Sequence, residues 1–201
     1  MRLDIQKYKA IFLIVTGVLA LLVASPALQR VLVYPQSESF TELWLLGPEH
    51  LAENYPYNIT RGETYSLFLG LANHLGEAAY YSVQVKFRNQ SQPAPDSFNR
   101  TPSSIAPLYS VNAFLADKAS WELPFTFSFD YSYDAAASKV DFGSLQFNDA
   151  ALDLDGYSAS WDSERSVFFG DLTFEVWLYN STIGDFQYHE RYVDLKFTFA
   201  V

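Results

Sequence analysis

The sequence predicts an all-β domain, arranged as an antiparallel immunoglobulin-like β-sandwich, that follows a single N-terminal transmembrane helix. The helix is predicted by an apolar run at residues 10–28 that contains no charged side chain. The β-domain is predicted by later segments in which apolar and polar side chains alternate, as they do in strands with one buried face. Turn-forming residues separate these segments and no second amphipathic helix interrupts them, which favours a sandwich.

The apolar run is long enough to cross a membrane. A helix needs about 20 residues to span the hydrocarbon core, and residues 31–33 extend the run because the side chain of Arg30 can reach the interface. We therefore predict a cytoplasmic tail at residues 1–9, a transmembrane helix at residues 10–33 and an ectodomain at residues 34–201. The alternative is a cleavable signal peptide, although Pro26 makes its cleavage site poor.

Charge predicts the orientation and argues against one class of partner. The tail has three basic residues and one acidic residue, which favours a cytoplasmic N-terminus and an extracytoplasmic ectodomain. The whole chain has a net charge of −10 and a pI near 4.6, which argues against nucleic acid as a partner. The absence of cysteine excludes thiol catalysis and cysteine metal sites. We predict a single-pass protein of the cell membrane.

Four Asn-x-Ser/Thr sequons support an extracytoplasmic location. They begin at Asn58, Asn89, Asn99 and Asn180, whereas eight asparagines in a chain of this composition supply about one sequon by chance. We predict glycosylation at these four residues, with all four side chains exposed in loops and turns. The alternative is that the sequons belong to polar loops that are simply rich in Asn, Ser and Thr.

The alternating segments predict about six or seven strands. Every second residue is apolar in 81–87, 125–133 and 193–201, while 65–72 is apolar on both faces and predicts a central strand. The final strand, Tyr192–Val201, still alternates at its last residue. We therefore expect it to form a sheet edge that can pair with a neighbouring protein.

Residues 89–123 interrupt the strand pattern with four prolines and two of the sequons. A loop of this length inside a compact domain is usually functional or contains short elements of its own. The strands on both sides must share one core, so we predict a long crossover at about 89–123 and a short helix at 107–118.

Two sets of side chains are candidate metal ligands. The histidines His50, His74 and His189 lack the spacing of a shared local site, so we interpret them as turn or surface residues. The better set is a group of acidic residues: Asp153, Asp155, Asp162 and Glu164. A helix-loop-helix calcium site has a further spaced carboxylate before its glycine, so an Asx-rich turn is the main interpretation and calcium is the alternative. We predict no cofactor.

Aromatic residues make up 17% of the chain. Such a content is typical either of an aromatic core or of a surface that binds sugars. The alternation of these residues in strands favours the core. A row of at least two exposed tryptophans would favour sugar binding, and the candidates are Trp44, Trp121, Trp161 and Trp177. The sequence has no nucleophile elbow, phosphate loop, dinucleotide fingerprint or His-Glu-x-x-His motif, so no catalytic residue is assigned. The two carboxylates of a glycoside hydrolase can be far apart in the sequence and meet only in the folded protein, so the sequence alone does not identify such a pair.

Several short blocks resemble a known family. Phe40–Pro48, which contains Leu-Leu-Gly-Pro, is the most specific, followed by Ala52–Pro56 and Asn73–Gly76. Together they resemble the extracytoplasmic β-domain of an archaeal family of membrane proteins of unknown function, over residues 40–191. The resemblance implies no catalytic residues. Many members of that family have several membrane spans ahead of this domain, whereas one span is predicted for this chain. A more distant resemblance is to adhesion-type immunoglobulin-like modules of prokaryotic surfaces.

These observations favour a function without catalysis. We predict a membrane-anchored structural or accessory subunit of a cell-envelope or membrane-protein assembly, whose partners are other membrane or surface proteins or copies of itself. The first competing class is a carbohydrate-binding surface receptor or adhesion module. The second is a metal-dependent or glycoside-acting enzyme.

Overall fold

The computed structural model describes residues 5–32 and 39–201, which form two compact units. The first is the helix α1, Ile5–Leu32. Its segment Tyr8–Ser25 has a mean hydropathy of 2.1 and no buried side chain, so its length and composition suit a membrane span or a signal sequence. The predicted apolar helix is confirmed, and it begins inside the predicted tail. Residues 1–4 of that tail, and residues 33–38 around the predicted helix end, lie outside the described residues.

The second unit, Ser39–Val201, is built from eleven strands. They are β1 (Phe40–Leu46), β2 (Asn58–Ile59), β3 (Tyr65–His74), β4 (Ala79–Arg88), β5 (Tyr109–Leu115), β6 (Ser120–Asp134), β7 (Lys139–Phe147), β8 (Ala150–Asp153), β9 (Ser158–Asp162), β10 (Val167–Asn180) and β11 (Asp185–Phe199). The all-β prediction is confirmed. The described strands outnumber those predicted partly because β2, β8 and β9 are too short to show an alternating pattern.

All eleven strands belong to one connected sheet. Its main path runs β1-β3-β6-β7-β9-β10-β11-β2, with β4 between β10 and β5, and β8 paired with β7. Every pairing is antiparallel except that of β11 with β2. The sheet curls so that its two halves face each other across a shared core. The immunoglobulin-like arrangement stays a prediction.

The core between the two halves is largely aromatic. Phe125 of β6 lies 5.3 Å from Phe174 of β10, and Phe129 of β6 lies 5.5 Å from Phe197 of β11, measured between ring centroids. These rings are almost inaccessible to solvent. Since each buried aromatic side chain removes about 150–250 Å² from water, they supply much of the driving force for folding.

The crossover differs from its predicted form. The predicted short helix at 107–118 is wrong, because this segment contains the strand β5, which pairs with β4. Ala113 and Leu115 point into the core while Ser110, Asn112 and Phe114 point outward, a period of two that the neighbouring prolines obscured. The next strand, β6, begins at Ser120, inside the predicted crossover.

The final strand also differs from its prediction. The last paired residues of β11, Thr198 and Phe199, pair in parallel with Asn58 and Ile59 of β2. The hydrogen bond from the N–H of Thr198 to the carbonyl oxygen of Tyr57 measures 2.7 Å. The end of β11 is therefore covered, whereas residues 185–197 pair with β10 alone among the described strands, so the predicted edge is found over that part.

Candidate functional site

The face of β4, β10 and β11 that points away from the core carries two chemically different halves. Along β4, the core residues Val85 and Phe87 alternate with the outward-facing residues Gln84, Lys86 and Arg88. The antiparallel register aligns such outward side chains in rows across β5, β4, β10 and β11. The rows are aromatic at one end of this outer face and charged at the other end.

The aromatic end presents one ring from each strand. We call Phe114, Tyr80, Tyr179 and Phe186 the aromatic row. The register pairs Phe114 with Tyr80 and Tyr179 with Phe186, and the ring of Tyr80 lies 6.1 Å from that of Tyr179. The exposed fraction is 71% for Phe114, 40% for Tyr179 and 37% for Tyr80. Exposed aromatic side chains grouped in this way are typical of binding surfaces.

Two pockets lie beside the aromatic row and share four lining residues: Glu77, Leu178, Tyr179 and Ser181. The first pocket has a volume of about 290 Å³ and is also lined by Tyr80 and Phe114. The second has a volume of about 310 Å³ and extends along β11 towards His189 and Tyr188. Among the described residues that line the two pockets, Glu77 is the one acidic side chain and none is a lysine or an arginine.

The turn between β3 and β4, which carries Glu77, is held by hydrogen bonds to a buried asparagine. Nδ2 of Asn73 donates to the carbonyl oxygen of Glu77 at 2.8 Å, and Oδ1 of Asn73 accepts from the N–H of Leu75 at 3.0 Å. Asp117 accepts from the N–H of Gly76 at 2.9 Å, which fixes the turn from the other side. These bonds hold Glu77 beside the aromatic row before any ligand arrives.

The charged end of the outer face is covered by the crossover. Nζ of Lys86 lies 2.7 Å from Oε2 of Glu175, and their side chains are 3% and 0% exposed. Ser103 of the crossover completes the contact, because its N–H donates to Glu175 at 2.7 Å and its carbonyl oxygen accepts from Lys86 at 2.8 Å. The crossover therefore shields the charged end and leaves the aromatic end open.

A second buried ion pair joins Arg88 and Asp171 in the next rows. Nε of Arg88 and Oδ1 of Asp171 find no hydrogen-bond partner among the described residues. Burial, together with the nearby carboxylate of Asp194, raises the pKa of Asp171 to about 7. Two polar atoms of this ion pair therefore lack hydrogen-bond partners among the described residues. Because the pKa of Asp171 is raised, the charge of the pair depends on pH.

The three histidines each have a different environment. His50 lies 3.4 Å from Glu122, and His74 lies 3.3 Å from Glu42. His189 is hydrogen-bonded to Thr41 at 2.8 Å, and burial lowers its pKa, with Arg191 nearby acting in the same direction. Among the described residues, no group of three or more His, Asp or Glu side chains is placed to hold a metal ion.

The four calcium candidates lie in two separate turns. Oδ1 of Asp153 accepts from the N–H of Asp155 at 2.9 Å, in the turn after β8. Oδ1 of Asp162 accepts from the N–H groups of Glu164 and Arg165, at 3.0 and 3.1 Å, in the turn after β9. The hydrogen bond from the N–H of Arg165 is the main reason that the pKa of Asp162 is lowered. The carboxylates of Asp153 and Asp162 thus make Asx turns.

The tryptophans form no exposed row among the described residues. Trp161 is exposed and its ring lies 5.0 Å from that of Phe168. Trp44, Trp121 and Trp177 are half-buried. Lys86 lies 5.8 Å from the ring of Trp177. The tryptophan arrangement that would favour a sugar receptor is therefore not found in the part of the chain that the structure describes.

The sequons differ in accessibility. Asn58 and Asn99 are exposed, as the sequence predicts, whereas Asn89 and Asn180 are half-buried. Nδ2 of Asn89, the atom that would carry a glycan, donates to the carbonyl oxygen of Ser158 at 2.6 Å. Asn180 lines the second pocket and follows Tyr179 of the aromatic row. Nδ2 of Asn99 also donates a hydrogen bond, to Asp96 at 2.5 Å, but at the exposed surface. Asn58 and Asn99 are the better acceptors because their side chains are exposed.

The outer face of the sheet was not predicted from the sequence. The alternation of Asp171, Thr173 and Glu175 with apolar neighbours in β10 was the available signal, because it marks a polar face on a strand that is otherwise buried. The partners of these residues lie on β4, about 85 positions earlier in the chain. Only the register between the two strands places them together.

Comparison with known families identifies the greater part of the chain. The model of a family described as a domain of unknown function, DUF1616, matches residues 35–152, which is more than half of the sequence. The chain belongs to the DUF1616 family. The DUF1616 match includes Glu77, Tyr80 and Phe114 of the first pocket, whereas Tyr179 lies beyond it. The predicted resemblance to a family of unknown function is confirmed.

Other comparisons add little to the DUF1616 assignment. No curated protein matches the chain. Crystal structures of a beta-glucosidase from Listeria innocua, in complex with glucose or with isofagomine, are similar at 12% and 13% sequence identity, with TM-scores of 0.38 and 0.37. The aligned region covers 84% and 83% of this chain but only 17% of the glucosidase in each case. This likeness is too weak to indicate an activity.

Proposed function

We propose that the chain is a membrane-anchored, non-enzymatic accessory subunit of a cell-envelope or membrane-protein assembly, and that the aromatic row binds the partner protein. The observation that carries this proposal is a group of four neighbouring aromatic side chains, three of them exposed and Phe186 half-buried, beside two pockets. Buried aromatic anchors dominate the binding energy of protein interfaces. An uncovered group of this kind is therefore best explained by a partner that covers it.

The orientation of the rings favours a protein partner over a sugar. The ring planes of Tyr80 and Tyr179 meet at 61°, and those of Tyr179 and Phe186 meet at 71°. Sugars stack on flat aromatic faces, and rings tilted in this way share no flat platform. Tilted rings with pockets between them instead fit the protruding side chains of a protein surface.

The proposed location is the outer side of a membrane. The apolar helix α1 supports an anchor, and the three basic residues near its start support a cytoplasmic N-terminus. The exposed sequons at Asn58 and Asn99 support a glycosylated, extracytoplasmic domain. The resemblance of Phe40–Pro48 to an archaeal family supports a cell envelope of that kind, with an immunoglobulin-like module as the ectodomain.

Native mass spectrometry after extraction in a mild detergent tests this proposal. We expect the unmodified chain to leave the membrane in a complex with at least one other protein chain. The double substitution Phe114→Ser and Tyr179→Ser should release it as a monomer, because both changes remove exposed anchors without touching the core. Tyr57→Ser is the matched control, since Tyr57 is 66% exposed and lies outside the aromatic row. A complex that survives the double substitution would contradict the proposal.

A further inference from the structure

We infer that the first pocket, beside Glu77, binds a cationic side chain of the partner protein, a lysine or an arginine. This inference rests on the proposed function and specifies the chemistry of the contact. It depends on three features of the pocket: aromatic walls, a carboxylate carried by a hydrogen-bonded turn and the lack of a competing cation among its described lining residues.

The walls of the pocket are suited to a cation. Tyr80, Phe114 and Tyr179 line it, and the tilt of 61° between Tyr80 and Tyr179 makes them separate walls and not one floor. The negative faces of aromatic rings attract ammonium and guanidinium groups that approach within about 6 Å. The outer face already contains one contact of this kind, since Lys86 lies 5.8 Å from the ring of Trp177.

The negative charge of Glu77 also favours a basic side chain in the pocket. Glu77 is exposed and makes no ion pair within 4.0 Å among the described residues. A hydrogen bond from Asn73 fixes the backbone of its turn, so only the side chain of Glu77 has to become ordered on binding. An acidic side chain of the partner would be repelled by Glu77, and an apolar one would leave this carboxylate desolvated without a partner. A basic side chain avoids both costs.

The dimensions also fit. A volume of about 290 Å³ accommodates the end of a lysine or arginine side chain, while the mouth stays open towards the aromatic row. The apolar stem of either side chain can lie along Leu178 while its charged head contacts Glu77. The aromatic row would then bury the surrounding apolar residues of the partner, and the pocket would set its register.

The test uses two probes that differ only in charge. N-acetyl-arginine methylamide and its neutral isostere N-acetyl-citrulline methylamide are titrated into the full chain in detergent micelles, and NMR shifts of residues around the first pocket are followed. We expect the arginine probe to bind at least about threefold more tightly than the citrulline probe, as a weak cation–π contact and an exposed ion pair would give. Equal binding of the two probes, or no saturable shift with the arginine probe, would overturn the inference.

Substitutions separate this inference from the proposed function. Glu77→Gln and Tyr179→Leu should each lower the affinity for the arginine probe by about threefold, and the two substitutions together should lower it by about tenfold. Glu49→Gln and Tyr57→Leu, at exposed positions away from the pocket, should leave the probe unaffected. One combination of results would refute the cation pocket alone. The native complex would dissociate in the Phe114→Ser and Tyr179→Ser double variant, which supports the proposed function, while Glu77→Gln would leave binding of the arginine probe unchanged.

Discussion

Lys86 and Glu175 form an ion pair of 2.7 Å on the outer face of the sheet, although both side chains are withdrawn from solvent. Ser103 explains this burial, because its backbone contacts both charges and brings the crossover over them. A buried ion pair contributes little net stability compared with an apolar pair of the same volume. Its role here is to fix the crossover on one half of the outer face, which leaves the aromatic row open on the other half.

Breaking this ion pair should destabilise the domain strongly. Glu175→Gln leaves the charge of Lys86 buried without a counter-charge, so we expect a loss of about 3–5 kcal/mol in the free energy of unfolding. The double substitution Lys86→Met and Glu175→Leu should lose much less, because it removes both charges. Urea unfolding of the full chain in detergent, followed by tryptophan fluorescence, measures both effects. Equal losses in the single and double variants would contradict the assigned role.

Asp171 should make the stability of the domain fall as the pH rises. Its pKa is about 7 in the folded protein and near 3.8 when unperturbed, so between about pH 4 and pH 7 the folded state holds a proton that the unfolded state has released. The contribution of Asp171 to stability is therefore fully present below this window and is lost as the pH rises through it. Asp171→Asn should flatten the decline in urea midpoints measured across the window. Asp149→Asn, at an exposed position, should leave it in place.

Gly70 should be intolerant of a side chain. A Cβ atom at this position would lie 1.9 Å from Cε2 of Trp44, which packs directly over the glycine. Gly70→Ala must displace that ring, and we expect a cost of about 1–3 kcal/mol in the free energy of unfolding. Gly143→Ala is the matched control, because its nearest contact would be 3.4 Å from Oδ2 of Asp130. Thermal unfolding followed by circular dichroism compares the two, and similar midpoints would refute the packing argument.

Glycans should occur at Asn58 and Asn99 but not at Asn180. Asn180 lines the second pocket and follows Tyr179, so a glycan there would cover the surface that is proposed to bind a partner. Asn89 should also stay unmodified, because its side chain is half-buried and its Nδ2 is hydrogen-bonded to the carbonyl oxygen of Ser158. Mass measurement of peptides before and after chemical deglycosylation tests each residue separately. A glycan at Asn180 in protein extracted from its native membrane would exclude the aromatic row as an interface.

Local patterns predicted the elements of this fold better than their arrangement. The helix α1 and the strand β6 follow from apolar runs and alternation, which are properties of consecutive residues. The strand β5 was missed because the prolines before it suggested an irregular segment. The aromatic row could not be predicted, because Tyr80 and Tyr179 are about 100 positions apart and meet only through the register of β4 against β10.

Photo-crosslinking in intact cells tests the aromatic row most directly. A photoreactive amino acid placed at Phe114 should give an adduct of one defined mass with a partner protein, and Tyr179→Ser in the same chain should abolish it. The same amino acid placed at Tyr57, beside the opposite end of β11, should give no such adduct. Equal adducts from both positions, or an adduct from Phe114 that persists when Tyr179 is changed, would contradict the claim that this surface binds a partner.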